Sequence, residues 1–376
     1  MTRTLPRTLP KSRHRAAAVG AALVLSAAFL AACGANDAEG GDDGGDGGDS
    51  GGGKTIALLL PESKTTRYEA FDKPLFEAAV ADLCDDCTVD YYNADQDEGK
   101  QAQQVDSAIS EGAAVIVLDP VNGAGASGMV SSAQDADIPV IAYDRFIESA
   151  DYYMSFDNET VGQMQGQALV DAMGDKGNIL MLNGAPSDPN AAQFKAGAHS
   201  VLDGAVTILE EYDNPDWSPE NAQQFVTDQL SNYDPSEING VYAANDGQAG
   251  GVVAALTGAG VAEDALPPIT GQDAELAAIQ RIVAGQQTVT IYKPIPIEAE
   301  TAAEVAVKLA NGDEIGDTSD TGIAQTDYEG VPSFIFDPIA VTQDNVADTV
   351  IADGFYTADD VCTEEYADAC AEAGIS

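Results

Sequence analysis

Polar side chains with fixed hydrogen-bonding roles stand at the ends of apolar segments of this chain. The segment 140–143, VIAY, runs directly into Asp144 and Arg145. An ionised carboxylate only accepts hydrogen bonds and a guanidinium only donates them, so together they suit hydroxyl groups, which do both. Open α/β folds bind ligands where strands end. The pattern therefore predicts a polar binding cleft.

The same arrangement recurs along the chain. Charged, amide or aromatic residues follow the other apolar segments: Arg67, Asn93, Asp95, Asp119, Asp157, Asn158, Asn183, Asp188, Asn190, Asp213, Trp217, Asn245, Asp246, Asp273 and Lys293. Several of these side chains have a simpler explanation, since Asp246, Asp273 and Asn158 could be no more than helix N-caps. Their recurrence beside basic residues favours the cleft.

Trp217 is the only tryptophan and lies in the polar stretch DNPDWSPEN. A core tryptophan usually has apolar neighbours, so we expect a ring that is exposed or faces the cleft. Such a ring could stack on the apolar face of a sugar.

Segments with strand character alternate with segments of helical periodicity from residue 54 onward. This alternation is typical of an α/β fold with parallel sheets covered by helices on both faces. About ten strands are too many for one small sheet, so we expect two.

The N-terminus predicts export and lipid attachment. Five basic residues precede an uncharged segment, Ala16 to Ala32, as in a secretory signal peptide covering residues 1–32. The segment LAAC ending at Cys33 resembles a lipobox, which implies acylation of Cys33 after cleavage. Residues 33–53, rich in Gly and Asp, predict a flexible linker.

Charge and histidine content exclude several functions. Without the signal peptide, 11 basic residues face 63 acidic ones, a net charge of −52 that disfavours nucleic acid and anionic membrane surfaces as partners. Only His199 then remains, which argues against a Ser-His-Asp site and a histidine metal site. We expect no metal and no cofactor.

The glycine motif and the cysteine pairs are best interpreted as structural features. Gly123, Gly125 and Gly128 match GxGxxG, but three residues separate them from the preceding strand, so a glycine-rich helix start is favoured over dinucleotide binding. Four cysteines remain besides Cys33, and export favours disulfides. The local bridges Cys84–Cys87 and Cys362–Cys370 are the simplest of three pairings, and we interpret both as structural.

Several stretches resemble the exported monosaccharide-binding proteins of ABC importers, in the ribose-type branch and nearest to its xylose-binding members. They cover nearly the whole chain from Lys54, in order: TTRYEAFDK, VIAYDR, YMSFDNETVG, APSDPNAAQFKAG, VYAANDGQAGG, TGQDAELAAIQRIVAGQQTVTIYKP and VPSFIFDPIAV. The resemblance implies two Rossmann-like lobes joined by three crossings, closing on one sugar.

The resemblance also implies the residues involved. Its sugar contacts fall on Arg67, Asp144, Arg145, Asp188, Asn190, Trp217, Asn245, Asp273 and Lys293. The hinge would include Asp157, Asn158 and Lys293. The N-terminal lobe would comprise residues 54–157 and 293–330, and the C-terminal lobe residues 158–292 and 331–376. Tyr68 and Pro189 depart from the family pattern, which has tryptophan and asparagine there.

The function implied is that of a monomeric, non-enzymatic receptor, lipid-anchored outside the cytoplasmic membrane. It would capture a xylose-like pyranose and deliver it to an ABC permease. Two alternatives remain open at the level of sequence: a secreted carbohydrate-active enzyme that uses a carboxylate pair, and a sugar sensor feeding a histidine kinase.

Overall fold

A computed structural model describes residues 53–174 and 176–375. The predicted signal peptide, Cys33 and the linker up to residue 52 lie outside the described residues. No helix in the described ranges is both long enough and apolar enough to cross a membrane.

The described chain alternates strands and helices. The strands are β1 Lys54–Leu60, β2 Cys87–Asn93, β3 Val115–Leu118, β4 Val140–Tyr143, β5 Tyr152–Phe156, β6 Asn178–Asn183, β7 Thr207–Asp213, β8 Gly240–Ala243, β9 Thr290–Tyr292, β10 Thr326–Tyr328, β11 Val331–Phe336 and β12 Ile339–Val341. The helices are α1 Lys73–Leu83, α2 Glu98–Glu111, α3 Ser127–Gln134, α4 Asn158–Met173, α5 Pro189–Leu202, α6 Pro219–Gln229, α7 Asp246–Gly258, α8 Leu276–Val283, α9 Ile295–Asn311, α10 Ala358–Val361 and α11 Ala367–Glu372.

A seven-stranded sheet forms the centre of the first lobe. Its order is β10-β11-β5-β4-β3-β1-β2, and only the β10–β11 pair is antiparallel. Both faces are buried, because Ile56 and Leu58 of β1 belong to one hydrophobic core while Ala57 and Leu59 belong to another. Burial on both faces explains why the sequence shows apolar runs without polar alternation.

A second sheet forms the centre of the second lobe. Its strands β7, β6 and β8 are parallel. Bridges Val241–Ile269 and Gln272–Ile291 connect them to the antiparallel pair β9–β12. This sheet also has a core on each face. The two covered sheets confirm the predicted α/β class.

The chain crosses between the sheets after β5, after β9 and after β11. The first and third crossings run side by side, since Asp157 N donates to Phe336 O at 3.2 Å. One predicted boundary is wrong here: the sequence-based division places residues 331–336 in the C-terminal lobe, but β11 pairs in parallel with β5 in the first sheet. The remaining lobe boundaries stay predictions.

Local sequence signals mark the starts of two helices. Ser218 caps α6 with Pro219 in its first turn, and the Asp157 side chain accepts a hydrogen bond from Thr160 N at the start of α4. Asp273 does not cap a helix, because α8 begins at Leu276 with Glu275 as its N-cap residue. The carboxylate of Asp273 is therefore available for another role.

Both local disulfides are present. Cys84–Cys87 joins the end of α1 to the start of β2, and Cys362–Cys370 joins α10 to α11. The C-terminal segment that carries the second bridge lies along α8, where Gln280 Nε2 donates to Asp360 O at 3.2 Å. It also reaches the first lobe, since Phe355 stacks on Phe71 with ring centroids 3.9 Å apart.

Candidate functional site

Polar residues that follow the strands line a cavity between the two lobes. Its lining includes all nine predicted contacts together with Thr65, Tyr68, Phe194 and Gln272. The nine are Arg67, Asp144, Arg145, Asp188, Asn190, Trp217, Asn245, Asp273 and Lys293. The structure thus brings the whole predicted set to one place, while their binding of a ligand stays a prediction. Of the predicted hinge residues, Asp157 and Asn158 lie at the first crossing and Lys293 follows β9 at the second.

Strained backbone turns aim three of these side chains into the cavity. Asp144, Trp217 and Asp273 have φ values of 57°, 60° and 89°. Residues with a Cβ adopt this left-handed region rarely and at a cost, and such strain clusters at functional sites. Here hydrogen bonds fix the turns, as where Asp144 N donates to Met154 O and Asp273 N to Ile291 O, both at 2.9 Å.

Arg67 is held by three buried carboxylates. Its guanidinium lies 2.6 Å from Asp72 Oδ1, 2.9 Å from Glu298 Oε2 and 3.3 Å from Asp144 Oδ1, and only 1% of its side chain is exposed. Burial by itself would lower the pKa of Arg67, but Asp72 and Asp144 outweigh it and hold that pKa well above its usual value. Arg67 is therefore a fixed cation and hydrogen-bond donor.

Asp144 lies between two cations. Lys293 Nζ is 4.0 Å from its Oδ1 atom and 2.9 Å from Asp273 Oδ1. Burial raises the pKa of Asp144, but Arg67 and Lys293 together lower it by more, so the pKa lies below its usual value. Its carboxylate is therefore ionised at neutral pH and can only accept hydrogen bonds.

Arg145 connects the lobes. Its Nε lies 2.9 Å from Asp188 Oδ2 of the second lobe and 3.4 Å from Asp119 Oδ1 of the first. Burial raises the pKa of Asp188 and that of Asp119, and Arg145 offsets this only in part. Asn190 makes a second connection, since its Nδ2 donates to Asp144 O at 3.0 Å.

Aromatic rings line one side of the cavity. Trp217 is buried, its Nε1 donates to Asp188 Oδ2 at 3.2 Å, and its ring lies edge-on to Phe194 with centroids 6.4 Å apart. The expectation of a ring that faces the cleft is met by its place in the lining. Fixed donors, fixed acceptors and aromatic faces together suit a small uncharged ligand with many hydroxyl groups.

The chain matches a family model described as a periplasmic binding protein domain over residues 56–314. The chain belongs to the periplasmic binding protein family. The family resemblance noted in the sequence is thereby confirmed.

Two curated members of the periplasmic binding protein family illustrate the similarity. The D-xylose-binding periplasmic protein of Escherichia coli is 41% identical over 271 residues, which cover 70% of this chain and 80% of that protein. The multiple sugar-binding periplasmic receptor ChvE of Rhizobium radiobacter is 33% identical and covers 72% of this chain and 82% of its own.

A solved ABC transporter solute binding protein has a similar architecture. The ABC transporter solute binding protein from Clostridium phytofermentans, with bound β-D-glucose, superimposes with a TM-score of 0.72 at 26% identity. The match covers 82% of this chain and 100% of that protein.

Sequence reasoning missed several residues of this periplasmic binding protein site. Phe194 follows Asn190 by one helical turn, so the i to i+4 spacing could have revealed it. Tyr68 is adjacent to Arg67, and its hydroxyl accepts a hydrogen bond from Arg145 Nη2 at 3.2 Å. Glu298 lies inside α9, where no local pattern marks it.

The position of Trp217 depends on the absence of a side chain at Gly184. A Cβ atom there would lie 2.0 Å from Trp217 Cη2. Gly184→Ala should therefore displace the ring, shift tryptophan emission to the red and lower stability by about 1–3 kcal/mol. Since the chain has one tryptophan, the emission reports this ring alone.

Gly128 supplies the matched control for this substitution. An added Cβ there meets no atom within 4 Å. Gly128→Ala should leave the emission maximum unchanged. Identical spectra for Gly184→Ala and the wild type would show that the ring is not confined as the structure has it.

Glu275 introduces a pH dependence at the lobe interface. It is 9% exposed, Thr66 N of the other lobe donates to its Oε1 at 3.4 Å, and burial followed by repulsion from Asp273 raises its pKa to about 7. The carboxyl group of Glu275 therefore binds a proton more tightly in the folded state than in the unfolded state. The protonated group contributes to the free energy of unfolding, and this contribution falls by up to about 3 kcal/mol as the pH rises from about 4.5 to about 7.

Glu275→Gln removes this titration. The fall in the free energy of urea unfolding between pH 5 and pH 8 should be smaller in this variant than in the wild type. Glu300→Gln, an exposed carboxyl on α9, serves as the control. Equal pH dependence in the wild type and Glu275→Gln would contradict the assignment.

Proposed function

We propose that this protein is an extracytoplasmic, lipid-anchored solute-binding protein that captures a monosaccharide, most simply a xylose-like pyranose, and delivers it to an ABC permease. The observation that carries the proposal is the convergence of nine polar and aromatic strand-end residues on one interlobe cavity. The similar proteins support a sugar ligand, because their names give xylose, multiple sugars or glucose as what they bind.

The composition of the cavity supports a sugar over a charged solute. Arg67, Arg145 and Lys293 are each paired with a carboxylate of the cavity, respectively Asp144, Asp188 and Asp273. A sugar hydroxyl can accept from such a cation and donate to the neighbouring carboxylate, so it fits between them without a net charge. The aromatic rings of Trp217 and Phe194 complement the apolar face of a pyranose.

The same pairing argues against a carbohydrate-active enzyme. Asp144 and Asp273 face cations at 3.3 Å and 2.9 Å. Asp188, whose pKa burial raises, has both carboxyl oxygens engaged by Asn190 N, Trp217 Nε1 and Arg145, whereas hydrolysis needs one carboxyl group free to give a proton to the leaving group. We infer that the protein binds and releases its sugar unchanged. Delivery to a permease, the Cys33 lipid anchor and a monomeric state belong to the proposal and follow from the sequence resemblance.

Calorimetric titration with xylose, glucose, galactose, arabinose and ribose tests the ligand class. The chain from residue 53 onward should give a saturable isotherm with one of these sugars, most tightly with xylose. Absence of binding across the panel would overturn the proposal. Release of product from an aryl glycoside would favour the enzyme.

Closure should depend on an aromatic contact between the lobes. Phe71 belongs to the turn that follows Arg67, whereas Phe355 belongs to the C-terminal segment lying along α8. Phe355→Ala removes the stack from the closed form and should weaken sugar affinity about five-fold to ten-fold. Calorimetry of Phe71→Ala, Phe355→Ala and the double variant should show a non-additive loss.

Tyr212 and Phe225 provide a matched stack inside the second lobe, with centroids 4.7 Å apart. Phe225→Ala should lower the melting temperature while sugar affinity stays unchanged. Equal effects of Phe225→Ala and Phe355→Ala on affinity would show that the interlobe stack has no special part in closure.

A further inference from the structure

Gln272 is a buried amide in the cavity wall that the sequence did not single out. It lies directly before Asp273 and lines the same cavity. It is 2% exposed, and among the described residues its Oε1 atom has no hydrogen-bond partner. A buried amide oxygen without a partner is unfavourable, so a bound ligand that supplies a donor would be stabilised there.

The backbone around Gln272 is fixed. The residue forms a β-bridge with Ile291, and its carbonyl accepts a hydrogen bond from Asp246 N at 3.1 Å. Its neighbour Asp273 is hydrogen-bonded in turn to Ile291 O at 2.9 Å. The unpaired oxygen therefore belongs to a rigid segment, not to a loose loop.

The other two amides of the cavity are partly used by the protein. Asn190 donates through Nδ2 to Asp144 O, although its Oδ1 also has no partner among the described residues, and Asn245 accepts through Oδ1 from Gln248 N at 3.0 Å. The charged side chains of the cavity either donate only or accept only. Gln272 can do both, since its Oε1 is unpaired and its NH2 group can donate at the same time.

We propose that Gln272 is a specificity-determining residue whose carboxamide binds two neighbouring hydroxyls of the sugar, accepting from one and donating to the other. The inference rests on the proposed sugar-binding function and adds a residue and a recognised feature to it. A carboxamide pairs two adjacent groups in this way because its donor and acceptor lie side by side in one plane.

A comparison of deoxy sugars tests the proposal. Dissociation constants of the wild type and Gln272→Met are measured by calorimetry with xylose and with 2-deoxy-, 3-deoxy- and 4-deoxyxylose. Gln272→Met should weaken xylose binding about ten-fold. The penalty of Gln272→Met should be as large with the analogue that lacks an uninvolved hydroxyl, but only about three-fold with each of the two analogues that lack one partner hydroxyl, because one of the two hydrogen bonds is still there to be lost.

Gln104 provides the matched control. It also has a buried Oε1 atom without a partner among the described residues, but it lies on α2 outside the cavity lining. Gln104→Met should leave every sugar affinity unchanged.

The outcomes separate this inference from the proposed function. No binding of any sugar by the wild type would overturn the function itself. Binding by the wild type with an unchanged or uniformly weakened Gln272→Met variant would overturn only the role of Gln272. If the penalty of Gln272→Met is reduced with only one of the deoxy analogues, the paired arrangement is overturned.

Discussion

Asp273→Asn is expected to weaken sugar binding about a hundred-fold or more. The substitution removes the charge that faces Lys293 at 2.9 Å and turns one acceptor of the cavity into a donor. Asparagine tolerates the left-handed backbone at this position, where φ is 89°, whereas alanine would add backbone strain. Calorimetric titration with the sugar that the wild type binds measures the loss.

Asp137 is a suitable control, because it is an exposed aspartate with φ 59° outside the cavity. Asp137→Asn should bind sugar like the wild type. A large fall in melting temperature for Asp273→Asn with retained affinity would mean that Asp273 stabilises the fold and does not contact the ligand.

Arg67→Met is expected to destabilise the protein by about 3–5 kcal/mol, because it leaves buried carboxylates without their cation. Asp72 and Glu298 are each no more than 1% exposed at their side chains, so water cannot replace the guanidinium. Urea unfolding of the wild type and the variant at neutral pH measures the difference. Adding Glu298→Gln to Arg67→Met should recover part of the loss, since it removes one of the buried carboxyl groups that the guanidinium no longer satisfies.

Lys73→Met tests whether the destabilisation expected for Arg67→Met arises because the ion pairs of Arg67 are buried. Lys73 forms a partly exposed pair with Glu69 at 3.9 Å on the same stretch of chain. Such pairs contribute about 0–1 kcal/mol, so Lys73→Met should be close to neutral. Comparable losses in Arg67→Met and Lys73→Met would contradict the buried ion cluster.

The sequence predicted the location of the candidate site because polar residues at strand ends form a local pattern. Asp144 and Arg145 directly follow an apolar run, and parallel strands bring such ends to one edge. Resemblance to a family then selected nine positions, and all nine line one cavity. Local pattern and family resemblance therefore agree on where the site lies.

Features that depend on distant parts of the chain were not predictable. β11 returns to the first sheet beside β5, although its sequence reads like any other apolar strand. Glu298 supports Arg67 from 231 residues away, and nothing around it in α9 marks that role. Asp273 looked like a helix cap because the sequence does not show that two left-handed residues, Asp273 and Ala274, delay the helix.

Equilibrium dialysis of the chain from residue 53 onward against labelled xylose measures directly whether the protein is a sugar receptor. One xylose should be bound per chain and recovered chemically unchanged after denaturation, and Asp273→Asn should lose that binding. Failure to retain xylose or any other monosaccharide of the panel, or recovery of a converted product, would contradict that function.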